Sequence, residues 1–401
     1  MPFGRDYHHR IAERPARESA RPAKGNAGRN LVHAADHNAR VILEALRRQS
    51  VLTRQELAAL TGLTAPGITN IIKRQIAAGL IHEVTRIAAG ARAAGFTIEP
   101  AGALAMGVDI DAEMVSAVVI DLAGHVLVRE QAKAASTAGS DVIEAVRAVM
   151  ASARAALTAG QSERLLGVGV AGAAEPERLA EALAPLPVIC ERDTACSVIG
   201  ERIYGAPPPD GSFVQILFGE SVRAGLMIRG TLYDGTSHRA GLVGLMRTGQ
   251  DGKLLDEAAS LAGIAPLIAR HEASGVDPDR FMEMLDAPGR KTVEAWIDQT
   301  ASHLLDAIVA ISGFIAPTVI FIGGRIPRDL VEELVDRLMA SRAQRMLGPL
   351  MPRWLPPIMP ATLGRDSVII GASALPFLEY LLPDPRRPAD HRVIVDEPAD
   401  A

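Results

Sequence analysis

A winged helix-turn-helix head followed by an α/β body of two lobes is the fold class this sequence predicts. Three observations predict it. The stretch Thr53 to Ile81, TRQELAALTGLTAPGITNIIKRQIAAGLI, reads as two short helices about a tight turn, with a polar, basic outer face. From Ala103 onward, strand-like and helix-like segments alternate. Charge is also divided: residues 1–90 hold 14 Lys and Arg against 7 Asp and Glu, and the remainder holds 28 against 40. A basic end on an acidic body is the electrostatic footprint of a nucleic-acid-binding head. At 401 residues and 48% hydrophobic, the chain is long enough for a large core and for two or three domains.

The first helix of the head opens with Thr53 and Glu56 at capping-box spacing, where hydroxyl and carboxylate satisfy backbone donors left free at a helix start. Leu57 and Leu60 supply its expected buried stripe, and Gly62 stands where a left-handed turn ends it. Thr64 is the expected N-cap of the second helix, with Pro66 in its first turn. Ile68, Ile71, Ile72 and Ile76 recur at helical spacing as its core face. Gly67, Thr69, Asn70, Lys73 and Arg74 are left pointing outward. An earlier helix, about Asp36 to Arg48, buries Val41, Ile42, Ala45 and Leu46. Leu80 to Pro100 fits a hairpin, the wing, with Arg86 and Arg92 near DNA phosphates. Arg54, Thr64, Gly67, Thr69, Asn70, Lys73, Arg74, Arg86 and Arg92 are therefore the expected DNA-binding residues. Thr69 and Asn70 are suited to base edges and the cationic side chains to phosphates.

In the body, AMGVDID and VSAVVIDLAGHVLVRE read as a strand and a hairpin turning at Ala123 and Gly124, with a helix about Asp141 to Leu157 after them. LLGVGVAG, PVICERD, FVQILFG, RAGLMIRG and TVIFIGG are further strands, interleaved with helices near Thr194 to Tyr204, Lys291 to Ile315 and from Pro327. The Pro-rich run Pro207 to Pro209 marks a crossing between lobes. A cleft between two such lobes is the natural ligand site.

The two cysteines, Cys190 and Cys196, lack the partners of a structural zinc site and are expected in the core. There is no secretory signal and no apolar run long enough to span a bilayer, so the protein is expected to be cytoplasmic, free of disulfides and away from membranes. The expected division is a disordered basic arm over 1–30, the winged helix-turn-helix over 31–100, the two-lobed body over 101–382 and a disordered tail over 383–401.

This order of elements resembles the ROK family, named for its repressors, open reading frames and sugar kinases. Its body is an actin-like, ribonuclease H-like ATPase fold of two lobes. The matching landmarks are Gly107 to Asp109, the hairpin ending at Asp121 to Gly124, Gly167 to Gly169, Asp193 before a helix ending in Gly200 and Glu201, Gly225, Gly230, Tyr233 to Gly235, Ala240 and Gly241, Gly244, Gly323 and Gly324, and Gly371 and Ala372.

The departures from the family pattern bear on activity. The glycine-rich turn after the first strand, which lets kinase backbone amides approach phosphate, is here Asp111, Ala112, Glu113, Met114. The second phosphate turn is Ser221, Val222, Arg223. The sugar-contacting glutamate and the zinc-ligating histidine are replaced by Leu242 and Leu245. The downstream cysteine cluster is replaced by Gly249 to Lys253, and the sugar-loop excursion after GVGVAG is missing. Asp193, at the position of the kinases' general base, lacks the asparagine before it, since Arg192 stands there. The resemblance thus implies a regulator with no catalytic residue, no cofactor and no metal. Arg192, Asp193 and Arg223 are the candidate ligand-binding residues. Either the two arginines face the cleft and take an anionic ligand, or they form surface salt bridges.

The expected function is sequence-specific operator binding by a transcriptional regulator, with repression as the expected sign. Its partners would be double-stranded DNA, a second copy or three further copies of itself, and a sugar or anionic metabolite as effector. The alternatives are a constitutive DNA-binding protein whose body only oligomerises, and a sugar kinase carrying an inherited head.

Overall fold

A computed structural model describes residues 27–88, 91–111, 114–135, 139–345 and 355–386, with side chains described for all of these except 27–36, 86–88, 91–93 and 343–345. Of the arm expected to be disordered over 1–30, residues 1–26 lie outside the described residues and 27–30 already belong to a helix; of the tail expected over 383–401, residues 387–401 lie outside them, while Pro385 O accepts from Leu232 N; Ala112 and Glu113 also lie outside them.

The head consists of α1 (Ala27–Gln49), β1 (Leu52–Thr53), α2 (Arg54–Thr61), α3 (Ala65–Ala77) and the hairpin β2 (Ile81–Ala88) and β3 (Ala91–Ile98). The capping box forms as expected. Glu56 N donates to Thr53 Oγ1 at 3.3 Å and Thr53 N donates to Glu56 Oε2 at 2.8 Å. Gly62 ends α2 with φ +67°, its N–H donating to Ala58 O. Thr64 caps α3 by position only, in extended backbone with no side-chain cap bond. The hairpin is the wing, in register from Ile81 opposite Ile98 to Ala88 opposite Ala91, and β1 pairs β3 to make a small three-stranded sheet.

Two expectations for the head's core are corrected. Leu60 and Ile76, placed in the buried stripes by spacing, are exposed, and Gln75 is buried instead, donating its Nε2 to Ala39 O at 2.8 Å. The stripe of α3 therefore runs through Ile68, Ile71, Ile72 and Gln75. A single polar side chain with a carbonyl to meet displaces the next apolar one from the core face.

The first lobe runs β4 (Leu104–Asp111), β5 (Met114–Asp121), β6 (Val126–Lys133), α4 (Ser140–Ala155), α5 (Ala159–Glu163), β7 (Leu165–Ala171), α6 (Pro176–Leu183), β8 (Val188–Glu191) and α7 (Asp193–Tyr204). The second runs β9 (Phe213–Phe218), β10 (Arg223–Ile228), β11 (Thr231–Leu232), the short pair β12 (Arg247–Thr248) and β13 (Lys253–Leu254), α8 (Leu255–Ala258), α9 (Ala265–Ala273), α10 (Ala287–Ile315), β14 (Val319–Gly324), α11 (Arg328–Arg345), β15 (Ile358–Pro360) and α12 (Ser367–Tyr380).

The two main sheets share one topology. Their orders are β6-β5-β4-β7-β8 and β11-β10-β9-β14-β15, each an antiparallel meander whose first strand pairs in parallel with a fourth strand, which in turn pairs in parallel with a fifth at the edge. The closing helix of each lobe packs across the divide. Val198 of α7 joins Phe213, Met227, Val319 and Phe321 on the second sheet. In turn α12 lies on the first sheet, where a side chain at Gly107 would collide with Ser373 and with the carbonyl of Ile369. Between the helices, Gly200 and Gly371 let the two backbones approach.

One apolar cluster runs from Ile42, Leu57, Ile68 and Phe96 of the head through Ile199 and Ile203 of α7 to Leu375, Phe377 and Leu382 at the end of α12. Each such buried side chain contributes about 1.5–3 kcal/mol. The head is therefore packed as part of the body. No helix among the described residues is long and apolar enough to cross a membrane.

A candidate DNA-facing helix and an inter-lobe cleft

Two surfaces carry the predicted site residues. On the head, α3 presents Thr64, Asn70, Lys73 and Arg74 as exposed residues, with Gly67 and Thr69 half-buried. The Thr69 hydroxyl donates back to Ala65 O at 2.9 Å, which leaves its oxygen available as an acceptor. Arg54, at the start of α2, lies over the Phe96 ring with its guanidinium carbon 4.6 Å from the centroid, so α2 and the wing are joined by a cation–π contact. Arg86 stands opposite Ala93, and Arg92 opposite Ile87, near the wing tip. Their side chains lie outside the described residues.

The second surface is a cleft of about 640 Å³ between the lobes, open to solvent at one side. Arg192, Asp193 and Arg223 all line it. Arg192 and Asp193 do not pair with each other. Asp193 begins α7; its Oδ1 accepts from Thr194 N at 2.7 Å, and its Oδ2 lies 3.5 Å from Arg223 Nη1. Arg192 places Nη2 3.2 Å from Asp234 Oδ1 and donates from Nη1 to His238 O at 3.1 Å. The two readings of these arginines therefore converge, because the guanidiniums face the cleft and are ion-paired there.

The residue that sequence reasoning missed is Arg325. It follows Gly324, whose φ of +115° and close approach to the Phe218 backbone make the strand end a tight turn. From there its Nη2 lies 2.8 Å from Asp109 Oδ1 and its Nε lies 2.9 Å from Asp111 Oδ2. Both aspartates belong to the last turn of β4, where the kinases' phosphate turn begins. A usable signal was present: both groups stand at carboxyl ends of strands, where open α/β sheets place their ligands. Burial pushes the Asp109 carboxyl above its usual range, against the opposing pull of Arg325. Burial would lower Arg325, but Asp109 and Asp111 outweigh it and hold the guanidinium firmly protonated.

The rest of the cleft is poorly suited to a nucleotide. The Val222 amide, in the second phosphate turn, already donates to Asp256 Oδ1 at 2.6 Å. Four carboxylates line the space (Asp111, Glu191, Asp193, Glu220) against three guanidiniums (Arg192, Arg223, Arg325), and each guanidinium is already ion-paired. Cys190, expected in the core, is instead half-buried at the cleft wall, and burial first, then Glu177 and Glu191, push its thiol up to about 11. It is a thiol, not a thiolate nucleophile. Leu242 and Leu245 are exposed. Among the described residues, no group of three or more His, Cys, Asp or Glu is arranged to hold a metal ion.

No protein-family model matches the chain. It is 27% identical over 375 residues to the uncharacterized protein y4fQ of Sinorhizobium fredii (strain NBRC 101917 / NGR234), spanning 85% of this chain and 90% of that protein. It is 24% identical over 299 residues to a glucokinase of Pyrobaculum calidifontis, spanning 68% of this chain and 94% of the glucokinase. Among solved structures, a ROK family transcriptional regulator, a homolog of the E. coli MLC protein, superimposes with a TM-score of 0.64 at 18% identity over 88% of this chain and 98% of its own. A ROK family glucokinase from Streptomyces griseus, in complex with glucose and AMPPNP, superimposes with a TM-score of 0.53 at 19% identity over 68% of this chain and 98% of its own. The chain has the ROK fold: an α/β, actin-like body of two lobes with a winged helix-turn-helix in front of it.

Proposed function

We propose that the protein is a sequence-specific DNA-binding transcriptional regulator, a repressor by expectation, whose body has no kinase activity. The observation that carries this reading is the cross-cleft contact of Arg325 with Asp109 and Asp111, at the place where a kinase of this fold needs backbone amides for phosphate. An exposed basic helix face with a wing beside it supports the DNA half of the reading. Coverage supports it as well. The regulator matches 88% of the chain and the glucokinase 68%, a difference of about 80 of the 401 residues, which is the size of the head.

In this reading Asn70 and Thr69 read base edges in a major groove, while Arg54, Lys73, Arg74, Arg86 and Arg92 bind phosphates. Thr64 and Gly67 let the start of α3 come close to the backbone of the duplex. A homodimer or homotetramer would read two-fold-related half-sites about 34 Å apart. Any effector, a sugar or an anionic metabolite, would enter the cleft at Arg192, Asp193 and Arg223.

Genome-wide occupancy in the protein's own cells, followed by footprinting of the strongest site, tests this. The expected result is a few sharp sites with two-fold symmetry. Diffuse occupancy would favour a constitutive architectural protein, and transfer of phosphate from ATP to a sugar would restore the kinase reading.

A further inference from the structure

Three arginines are ion-paired at the cleft. Arg325, after β14 of the second lobe, holds Asp109 and Asp111 of the first. Arg223 of β10 meets Asp193 at the start of α7. Arg192, just before α7, meets Asp234 and the carbonyl of His238 beyond β11. A fourth pair, Arg129 of β6 with Asp366, ties the start of α12 to the first lobe in a two-pronged contact of 3.1 and 2.7 Å. The Arg325 contact joins the two sheets directly, while the others fasten α7 to the second sheet, on which it packs, and the start of α12 to the first.

The two helices touched by these pairs lead to the head. Asp193 of α7 and Val368 of α12 line the cleft. At the far end of α7, Arg47 of α1 donates to Ile203 O at 2.6 Å and lies over the Tyr204 ring. At the far end of α12, Arg40 of α1 donates to the carbonyls of Leu378, Glu379 and Leu382 at 2.7 to 3.1 Å. Thus α1 grips the carboxyl ends of the two helices whose amino ends border the cleft, where a cation also complements the helix dipole.

We propose that the body is latched shut by its own side chains. These pairs take the place of a bound ligand and hold α7 and α12, and through Arg40 and Arg47 the head, in the DNA-binding placement without any effector. The DNA half of this inference rests on the functional reading above, and the latch itself does not. Of the three cleft pairs, the Arg325 contact is the least exposed and therefore the least screened by salt, so it dominates the latch. A small molecule would regulate this protein only by displacing the Arg325 contact.

Hydrogen exchange on the full-length chain tests the latch without DNA, and operator affinity tests its reach. Wild type is compared with Arg325→Ala and with the double variant Arg192→Ala, Arg223→Ala, whose less buried positions keep the test available if Arg325→Ala does not fold. The expected result is that each variant exchanges about tenfold faster over the first turns of α7 and α12, and binds the footprinted operator about tenfold more weakly, a shift ordinary for coupled sites. Unchanged exchange overturns the latch whether or not wild type protects DNA. Faster exchange with unchanged operator affinity overturns the link to the head. Absence of operator protection by wild type is instead a failure of the functional reading, and exchange alone then decides the latch.

Discussion

Arg325 reaches across the cleft to Asp109, with Nη2 2.8 Å from Oδ1 and 3.0 Å from Oδ2, over a sequence separation of 216 residues. Removing one partner of a largely buried pair leaves the other charge uncompensated. Arg325→Ala is expected to cost about 2–4 kcal/mol, toward the lower part of the range for broken buried pairs because Arg325 keeps some exposure. The pH dependence follows from Asp109. Its folded pKa is raised, by burial first, above the ordinary value of 3.8, so its favourable contribution is present at low pH and is lost as pH rises through the folded value. Without Arg325 the carboxyl rises further, and the variant's deficit should shrink as pH falls. Urea unfolding over a descending pH series measures it. A deficit that stays constant or grows as pH falls would show that Asp109 is not the group left unpaired.

The head was legible because its signals are local. Thr53 with Glu56 and the left-handed Gly62 are three-residue relationships that fold the same way wherever they stand. The hairpin register follows from one short wing. In the body, strand segments and their order were readable from apolar runs bounded by glycine. What could not be read was the pairing of charges. Arg192 and Asp193 are adjacent in sequence, yet adjacent residues at a helix start diverge, and their partners come from β10 and from the loop after β11. The Asp109–Arg325 contact needs both sheets folded and facing each other before the two residues meet. The displaced Ile76 has the same origin, since the carbonyl of Ala39 that draws Gln75 inward belongs to another helix.

Nucleotide should leave the protein's melting behaviour unchanged. A ligand with a Kd of about 0.1 mM, present at about 1 mM, stabilises a protein by about 1.4 kcal/mol. Arg325 is seated on Asp109 and Asp111, and the Val222 amide is given to Asp256, so these groups are already engaged. A thermal-shift titration with Mg-ATP and with AMPPNP is expected to show no displacement. A shift of the size just given, or phosphate transfer to glucose, would count against the non-kinase reading.

Replacing Lys73 and Arg74 together by Ala should weaken binding to every DNA sequence and flatten the salt slope by about one to two units, as expected when one or two phosphate contacts are lost. Both stand on the exposed face of α3. Asn70→Ala should act differently, relaxing discrimination at one base pair by about 1–3 kcal/mol while leaving the slope unchanged. Titrations at several salt concentrations, on the operator and on single-base variants, separate the two effects. If Asn70→Ala alters all sequences equally, it is not a base reader.

Arg47 adds a polar contact to the apolar junction between head and body. Its side chain is 6% exposed, donates to Ile203 O at 2.6 Å, is held by Glu44 at 2.9 Å, and lies 5.2 Å from the Tyr204 ring centroid. Deleting it leaves a helix-terminal carbonyl and the carboxylate of Glu44 without its partnership, and should cost about 2–3 kcal/mol. Arg47→Lys should recover only part of this, because an ammonium cannot form the planar fork that serves carbonyl and carboxylate together. Because one apolar cluster spans α1, α7 and α12, wild type should unfold head and body in a single transition. In the double variant Arg40→Ala, Arg47→Ala the head loses its polar grip on both helix ends and should unfold at lower urea, giving two transitions in far-UV circular dichroism. A single transition merely moved to lower urea would mean that the shared apolar cluster alone keeps the head and body one cooperative unit.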